Sequence, residues 1–596
     1  MLHTAGGNPL FAEELAALIS EEGAESEIPP SLRALLGARL DRLPDAERTA
    51  LECAAIEGEL FHRGAASWLA ERDLSPELGV LAGKQFIRAA QAQFADYAAF
   101  RFRHILVREA AYSATAKRQR ATLHARFANW LEQAAGERVA EVEEILGHHL
   151  ERAYRLRAEL GPVGDEGSRL AARAAERLAR AGARALDRGD VGAATKMLAR
   201  ATELFREDDP ARLEPLLQLG TALGKVADFA RAEAVLIEAS ECARAAGELR
   251  VALLAGIERE YVRSFAGSGS PEQLLTTAQQ AAAEFERTND DSGQARALGR
   301  ACVALVQFLR LEEAENAGES ALLHARRAGA RADELEILEW LMCALMWGPR
   351  PADTVGSRLE RFLRDYAGSL PVQWIALIGL AQVAGMQGDL ERARASFAAS
   401  KRITAKLGLT VNLAGTSMQV AEVELWAGDP AAAERDLRSG IALLEKIGAD
   451  DMTSSLATLL AVSICAQGRY DEAEAIIVAN EQAQPSRDLE NQILIGQTRA
   501  RILASRREFA ESQRIARKMV EQGENIDRLS VHAESFMTLA DVLRLAGRPN
   551  ESGAAAQSAL GLFERKGNVV CATRARRLLA DLTPAPVSVT DASVRM

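Results

Sequence analysis

From residue 170 onward the apolar positions recur at helical spacing, and no stretch shows the alternation of a half-buried strand. One phrase keeps returning: a helical stretch, a glycine with a polar neighbour, then a second helix that opens with small residues. It is clearest at Gly189-Asp190, Gly388-Asp389, Gly428-Asp429, Gly468-Arg469 and Gly547-Arg548. Weaker copies fall at Ala227-Asp228, near Gly269, at Glu312-Glu313, at Gly348 and at Arg507-Glu508. Nine steps separate Gly189 from Gly547, a mean period of about 40 residues. Five residues beyond the turn stands Ala194, Ala232, Ala317, Ala393, Ala433, Ala473, Ser512 or Ser552, a small residue in eight of the ten copies.

Helix-pair packing accounts for each feature. Glycine at a helix end takes the left-handed conformation that other residues resist. The Asp or Pro after it starts the next helix, and alanine one turn further in lets two backbones approach. A single pair buries little, so such pairs stack in long runs. The repeats resemble tetratricopeptide repeats, in the lengthened form found in helical sensor domains of bacterial signal-transduction ATPases. The expected fold is mainly α: a tetratricopeptide-like α-solenoid of about ten helix pairs over 165–580, preceded by a small winged-helix module.

The first 160 residues follow another pattern. A loop and amphipathic helix occupy 6–22, Ile28-Pro29-Pro30 breaks the chain, and Ser31 caps a helix through Leu43. Further helices are predicted from Pro44 to about Ala55, over Gly64–Glu71 and over Ser75–Ala82. Gln85–Ala90 and Ala98–His104 read as two short strands, because Phe100, Phe102 and His104 alternate with Arg101 and Arg103. Helices followed by a two-stranded wing are the layout of a winged-helix domain.

Composition narrows the function. The chain has 596 residues, 48% hydrophobic and 26% charged, with a net charge of −12. That is a globular composition, and the acidic balance argues against a general binder of nucleic acid or anionic membrane. The six cysteines are scattered singly and read as small buried hydrophobes. The N-terminus has neither the basic nor the apolar region of a signal peptide, and the apolar stretches around Ile337–Trp347 and Trp374–Ala381 are too short to cross a bilayer. A cytoplasmic location is expected. Trp340, Trp347, Trp374 and Trp426, with Met342, Met346 and Met386, read as packing residues. The pairs Gly83-Lys84 and Gly224-Lys225 are not phosphate loops, since Gln85 and Val226 follow the lysines. No hydrolase, zinc-protease or dinucleotide motif is present, so no catalytic residue is expected.

Gly7-Asn8-Pro9-Leu10-Phe11, Glu13-Glu14-Leu15, Ile28-Pro29-Pro30-Ser31-Leu32 and Arg39-Leu40-Asp41-Arg42-Leu43-Pro44 resemble the segment after the nucleotide fold in STAND-type ATPases. Phe102-Arg103-His104-Ile105-Leu106-Val107-Arg108-Glu109-Ala110-Ala111-Tyr112 and Leu123-His124 continue the match. In this family the pattern includes proteins with a class III adenylate/guanylate cyclase domain, then an AAA-like ATPase, then a winged helix and repeats. The resemblance implies that the Walker motifs and cyclase aspartates lie upstream of Gly7, so the chain is expected to be the C-terminal part of a larger protein or a separately encoded remnant. The implied organisation is a lid remnant over 1–30, a winged helix over 31–107, connecting helices over 108–164, the solenoid over 165–580 and a tail over 581–596.

The same resemblance gives His104 a role, contact with the phosphate of bound ADP when an upstream ATPase module is present; the alternative is a wing histidine hydrogen-bonded to backbone. No cofactor is expected in this chain itself, ATP or ADP belonging to a longer parent. His148-His149 with Glu144 read as solvated side chains and not as a metal site. Arg169, Arg173, Arg177, Arg180, Arg184 and Arg188 share one helix face, and a second basic segment runs from Arg101 to Arg126. They are either a docking surface for an acidic partner or a solvated face; DNA contact is the weaker option. The function expected is a non-catalytic sensor, regulatory and protein-interaction region of a signalling ATPase, one that controls a nucleotide cyclase. The solenoid would take a protein, peptide or small ligand on its concave face, with no membrane partner. The alternatives are a free-standing tetratricopeptide scaffold or, with an upstream region, an ATP-binding cyclase or transcriptional regulator.

Overall fold

The computed structural model describes residues 32–92, 98–446, 450–483 and 489–582. The motif at Gly7–Phe11, the break at Ile28-Pro29-Pro30, the lid reading of 1–30 and the tail beyond 582 lie outside these residues. The chain divides into two units, Met1–Val262 and Arg263–Met596.

The first unit opens with α1 (Leu32–Asp41), α2 (Asp45–Glu57), β1 (Leu60–His62), α3 (Arg63–Ala70), α4 (Ser75–Gly83), β2 (Ile87–Ala90) and β3 (Ala99–Phe102). The strands form an antiparallel sheet in the order β1-β3-β2, with Phe61 opposite Phe100 and Ile87 opposite Phe102. Strand β1 is absent from the sequence reading, because three residues are too few to show alternation. Its Phe61 is nevertheless fully buried, as are Phe86 and Phe102, against Leu51 and Leu78. Strand β3 stops at Phe102, so His104 does not alternate within the sheet; it caps the next helix instead.

That helix is α5 (Ile105–Ala114), followed by α6 (Lys117–Ala135), α7 (Glu143–Ala158) and α8 (Asp165–Asp187). With α8 the repeated pairs begin. Ten pairs can be followed from Asp165 to Lys566 among the described residues, and a single helix, Val569–Leu582, comes after them.

The second unit shows why the repeat phrase exists. Gly388, Gly428, Gly468 and Gly547 carry φ of 88°, 81°, 78° and 75°, the left-handed turn that ends one helix. The side chains of Asp389 and Asp429 accept the N–H groups of Arg392 and Ala432 and so cap the next. Ala393, Ala433, Ala473, Ser512 and Ser552 are completely buried where the two helices cross. The crossing is close enough for Ser512 Oγ to donate to the Ala500 carbonyl at 2.7 Å, and Ser552 Oγ to that of Ala540 at 2.8 Å.

The fourth copy corrects the register. Its turn is not Glu312-Glu313 but Leu309, at φ 59°, and the buried small residue is Ala314, not the half-buried Ala317. A leucine holds this turn because its side chain is buried beside Ile493 and Ile526, which offsets the strain of a left-handed non-glycine. Gly348 has an ordinary φ of −68°, and the copy near Gly269 begins its helix with Ser270 capping at Gln273 N.

Within this unit the array also returns on itself. Asp527 N donates to the Leu309 carbonyl at 2.9 Å, and Asp527 Oδ2 accepts from Glu312 N at 3.1 Å. The Lys566 amine donates to the carbonyls of Met346, in the last turn of the helix Arg331–Trp347, and of Gly348 and Arg350 just beyond it. The apolar stretch expected at Trp374–Ala381 extends over the whole helix Leu370–Gln387. Its 18 residues are long and apolar enough to span a bilayer, yet 61% of them are buried inside the protein.

Candidate functional site

The arginine face of α8 meets carboxylates of its own unit. Arg173 pairs with Glu132 at 3.0 Å, and Arg177 bonds Glu132 and also Glu143 at 3.2 Å. Arg180 lies 3.8 Å from Glu143, and Arg184 pairs with the same residue. Three guanidiniums thus converge on Glu143, a carboxylate at the start of α7 that is 4% exposed. Arg169 and Arg188, at the two ends of the stripe, are exposed. Glu132 and Glu143 went unnoticed in sequence because five glutamates stand from Glu132 to Glu144 and no motif marks these two.

His104 is half-buried at the start of α5, where its Nδ1 accepts the N–H of Leu106 at 3.2 Å. That bond fixes the ring at the end of the sheet, and Nε2 has no partner among the described residues.

His149 departs from the solvated reading. While Glu144 and His148 are exposed, His149 faces inward on α7 between Leu146 and Leu150 and is 3% exposed. Its Nδ1 lies 2.8 Å from Nδ1 of buried His124, whose Nε2 lies 2.8 Å from the Tyr112 hydroxyl. Arg152 Nε donates to that hydroxyl at 3.3 Å. Tyr112, His124 and His149 thus form a buried hydrogen-bonded chain that Arg152 joins at the Tyr112 hydroxyl. Both imidazoles are neutral in this chain. Burial, and then the charges of His148 and Arg152, push the His124 pKa down to about 3; burial likewise holds His149 well below the ordinary histidine range. No group of three or more metal-ligating side chains exists among the described residues.

The site with room for a ligand lies in the second unit. A cavity of about 720 Å³ is formed by the first helices of successive pairs: Trp426 from Thr410–Ala427, Leu459 and Val462 from Asp450–Ala466, Leu494 from Leu489–Ser505, and Met537 from Leu529–Leu545. Leu578 of the last helix completes the apolar floor. Equivalent positions in consecutive pairs face the same way, so a repeat of about 40 residues builds a continuous groove. A second cavity, of about 670 Å³, shares Ala466, Arg501, Asp541 and Arg544 with the first and extends it.

Polar groups ring this floor. Glu534 receives Arg574 and, at 3.6 Å, Arg501, while Arg544 lies 3.7 Å from Asp541. At the inner end Glu422 is held by Arg528 and by Gln382 Nε2 at 2.8 Å. Burial pushes the Glu422 carboxyl above its usual range, against the pull of Arg528. Trp426 therefore lines a groove, whereas Trp374 is 5% exposed and belongs to the core. The groove was invisible as a motif because its residues are dispersed over more than 150 positions.

Fold and groove define an α-helical repeat protein of tetratricopeptide type. No family model matches the chain, and no curated protein matches it. Among solved structures it is similar to a signal-transduction ATPase with numerous domains from Pyrococcus horikoshii that carries a tetratricopeptide repeat sensor. Identity there is 12%, over 98% of this chain and 71% of that one, with a TM-score of 0.31. It is also similar to Cut9 in the Cut9–Hcn1 hetero-tetramer of APC/C, at 12% identity, 79% and 91% coverage and a TM-score of 0.43. Rap protein complexed with competence and sporulation factor aligns at 13% identity, with 68% and 97% coverage and a TM-score of 0.32.

Proposed function

We propose that the chain is a non-catalytic regulatory and protein-interaction scaffold that captures a peptide or protein segment on the inner face of its second unit. The observation that carries this reading is the groove with an apolar floor of Trp426, Leu459, Val462, Leu494, Met537 and Leu578 beneath a charged rim. Apolar anchors in a pocket with polar surroundings are the usual energetic centre of such recognition.

A finer reading makes it the sensor half of a STAND-type signalling ATPase, of the kind that controls a nucleotide cyclase. Support comes from the first unit, where α2, β1, α3, α4, β2 and β3 follow the order of a winged helix. His104 stands at its exit with Nδ1 already bonded to backbone, so Nε2 is the atom that would meet a phosphate of an upstream module. The arginine face would then serve inside the chain through Glu132 and Glu143, with Arg169 and Arg188 left for a partner.

The test is a screen of a random peptide library against the full chain, repeated with Val462→Trp. Val462 is a half-buried floor residue, so the larger ring fills the cavity from a tolerant position. Peptides that bind the natural chain and not the filled variant support the reading. A library that yields none removes it.

A further inference from the structure

The groove carries an imbalance of charge that speaks to its ligand. Around the two joined cavities stand five guanidiniums, of Arg501, Arg507, Arg544, Arg574 and Arg577. Against them stand four carboxylates, of Glu422, Glu534, Asp541 and Asp581, of which Glu422 is held by Arg528 behind the lining. The lining is positive by one charge, in a chain whose net charge is −12.

The arginines differ in what holds them. Arg574 is paired closely with Glu534, and Arg501 lies 3.6 Å from the same carboxylate. Arg544 is exposed and lies 3.7 Å from Asp541, a loose pair that solvent screens. Arg507 and Arg577 are exposed and have no carboxylate partner among the described residues, although Asp581 is one turn beyond Arg577 on the same helix. Arg507 also ends its helix in a left-handed turn, at φ 64°. The equivalent position is glycine in the copies at Gly468 and Gly547, alanine at Ala227 and leucine at Leu309, so this copy is the one that puts a cation at the turn.

We propose that the groove binds an acidic peptide segment that carries one large apolar residue, a specificity that rests on the groove reading above. The apolar residue enters between Trp426, Val462 and Met537. Neighbouring carboxylates pair with Arg507, Arg544 and Arg577, where the planar guanidinium suits two-point contact with a carboxylate. The two cavities share residues of the first helices of three successive pairs, an elongated site that suits an extended chain more than a compact metabolite.

The experiment uses the full chain and three fluorescent peptides of equal length, each with a central leucine flanked by four Glu, four Ser or four Lys. Anisotropy titration should give the Glu peptide at least tenfold tighter binding than the Ser peptide and no binding of the Lys peptide. Its affinity should fall as salt rises. Arg507→Ser and Arg577→Ser should each weaken it by roughly 2- to 5-fold, the worth of an exposed ion pair, and Val462→Trp should abolish it. Equal binding of the three peptides, lost with Val462→Trp, would overturn the acidic specificity and leave the groove reading standing. Binding that Val462→Trp does not touch would place the peptide elsewhere and overturn the proposal. Failure of all three, beside a random library that does yield groove-dependent binders, would overturn it too; an empty library would remove the groove reading itself.

Discussion

Lys566 Nζ donates to the carbonyl oxygen of Gly348 at 2.6 Å across 218 positions of sequence. The carbonyls of Met346 and Arg350 accept from the same amine at 3.0 Å each. Lys566 is 2% exposed, and none of these acceptors carries a formal charge. Carbonyls left over at a helix end need donors, and here a lysine from the other end of the unit supplies three. Burial, then repulsion from Arg528, lowers its pKa to about 7, while Glu315 pulls the other way.

Lys566→Met should therefore destabilise the second unit by about 2–4 kcal/mol, because three carbonyls lose their donor. The pH dependence has a definite sign. The unfolded lysine binds its proton up to about pH 10.5 and the folded one only to about 7, so natural stability should rise as pH climbs between these values. Urea denaturation at pH 6.5 and 9.5 should show a wider gap between the natural chain and Lys566→Met at the higher pH. A gap that narrows would contradict the buried-amine argument.

The paired imidazoles predict a trend of the same sign in the acid range. The unfolded His124 takes up a proton near pH 6.5, whereas the folded one resists down to about 3. The first unit should lose stability as pH falls through that window, by about 2 kcal/mol at pH 5 from His124 alone. His124→Phe should flatten the acid limb of a denaturation series. Its loss of the Tyr112 and His149 bonds would be felt equally at every pH.

At the arginine face, position should decide the outcome. Arg177→Glu with Arg184→Glu leaves Glu143 buried among like charges, which should cost about 3–5 kcal/mol. Arg169→Glu and Arg188→Glu should change stability by less than about 0.5 kcal/mol, as exposed substitutions do. Hydrogen exchange over residues 130–185 reports the difference directly.

Helix crossings make a further prediction. Ala433 is completely buried, and Ala433→Trp should cost about 1–3 kcal/mol or more through overpacking. Protection should fall first in the helices Thr410–Ala427 and Pro430–Glu445. Ala317→Trp, at the half-buried site that the sequence spacing alone points to, should be mild beside Ala314→Trp.

What could be read from sequence was what repeats locally. Gly388, Asp389 and Ala393 announce a turn, a cap and a crossing within six residues, and the structure places all three as expected. Leu309 broke that grammar: a buried leucine does the glycine's work, and only its contact with residues near 493 and 526 explains why. The arginine face of α8 was visible, but its partners Glu132 and Glu143 were not, since no motif marks them among the glutamates around them. Lys566 was illegible for a stronger reason: its acceptors are backbone atoms, identical at every position, and only the folded path brings them to it. The groove's arginines, gathered from three helices and a turn, share that difficulty.

The return of the array on itself has an evolutionary consequence. Repeat proteins of this kind commonly gain or lose units by duplication and deletion, because each unit answers only to its neighbours. Between Gly348 and Lys566 that freedom is withdrawn. One extra helix pair would carry the amine past its three carbonyls and move Asp527 away from Leu309 and Glu312. Copy number in this stretch is thus constrained by a fit between distant ends, as blade number is in a closed propeller, while the pairs before Leu309 stay free to multiply.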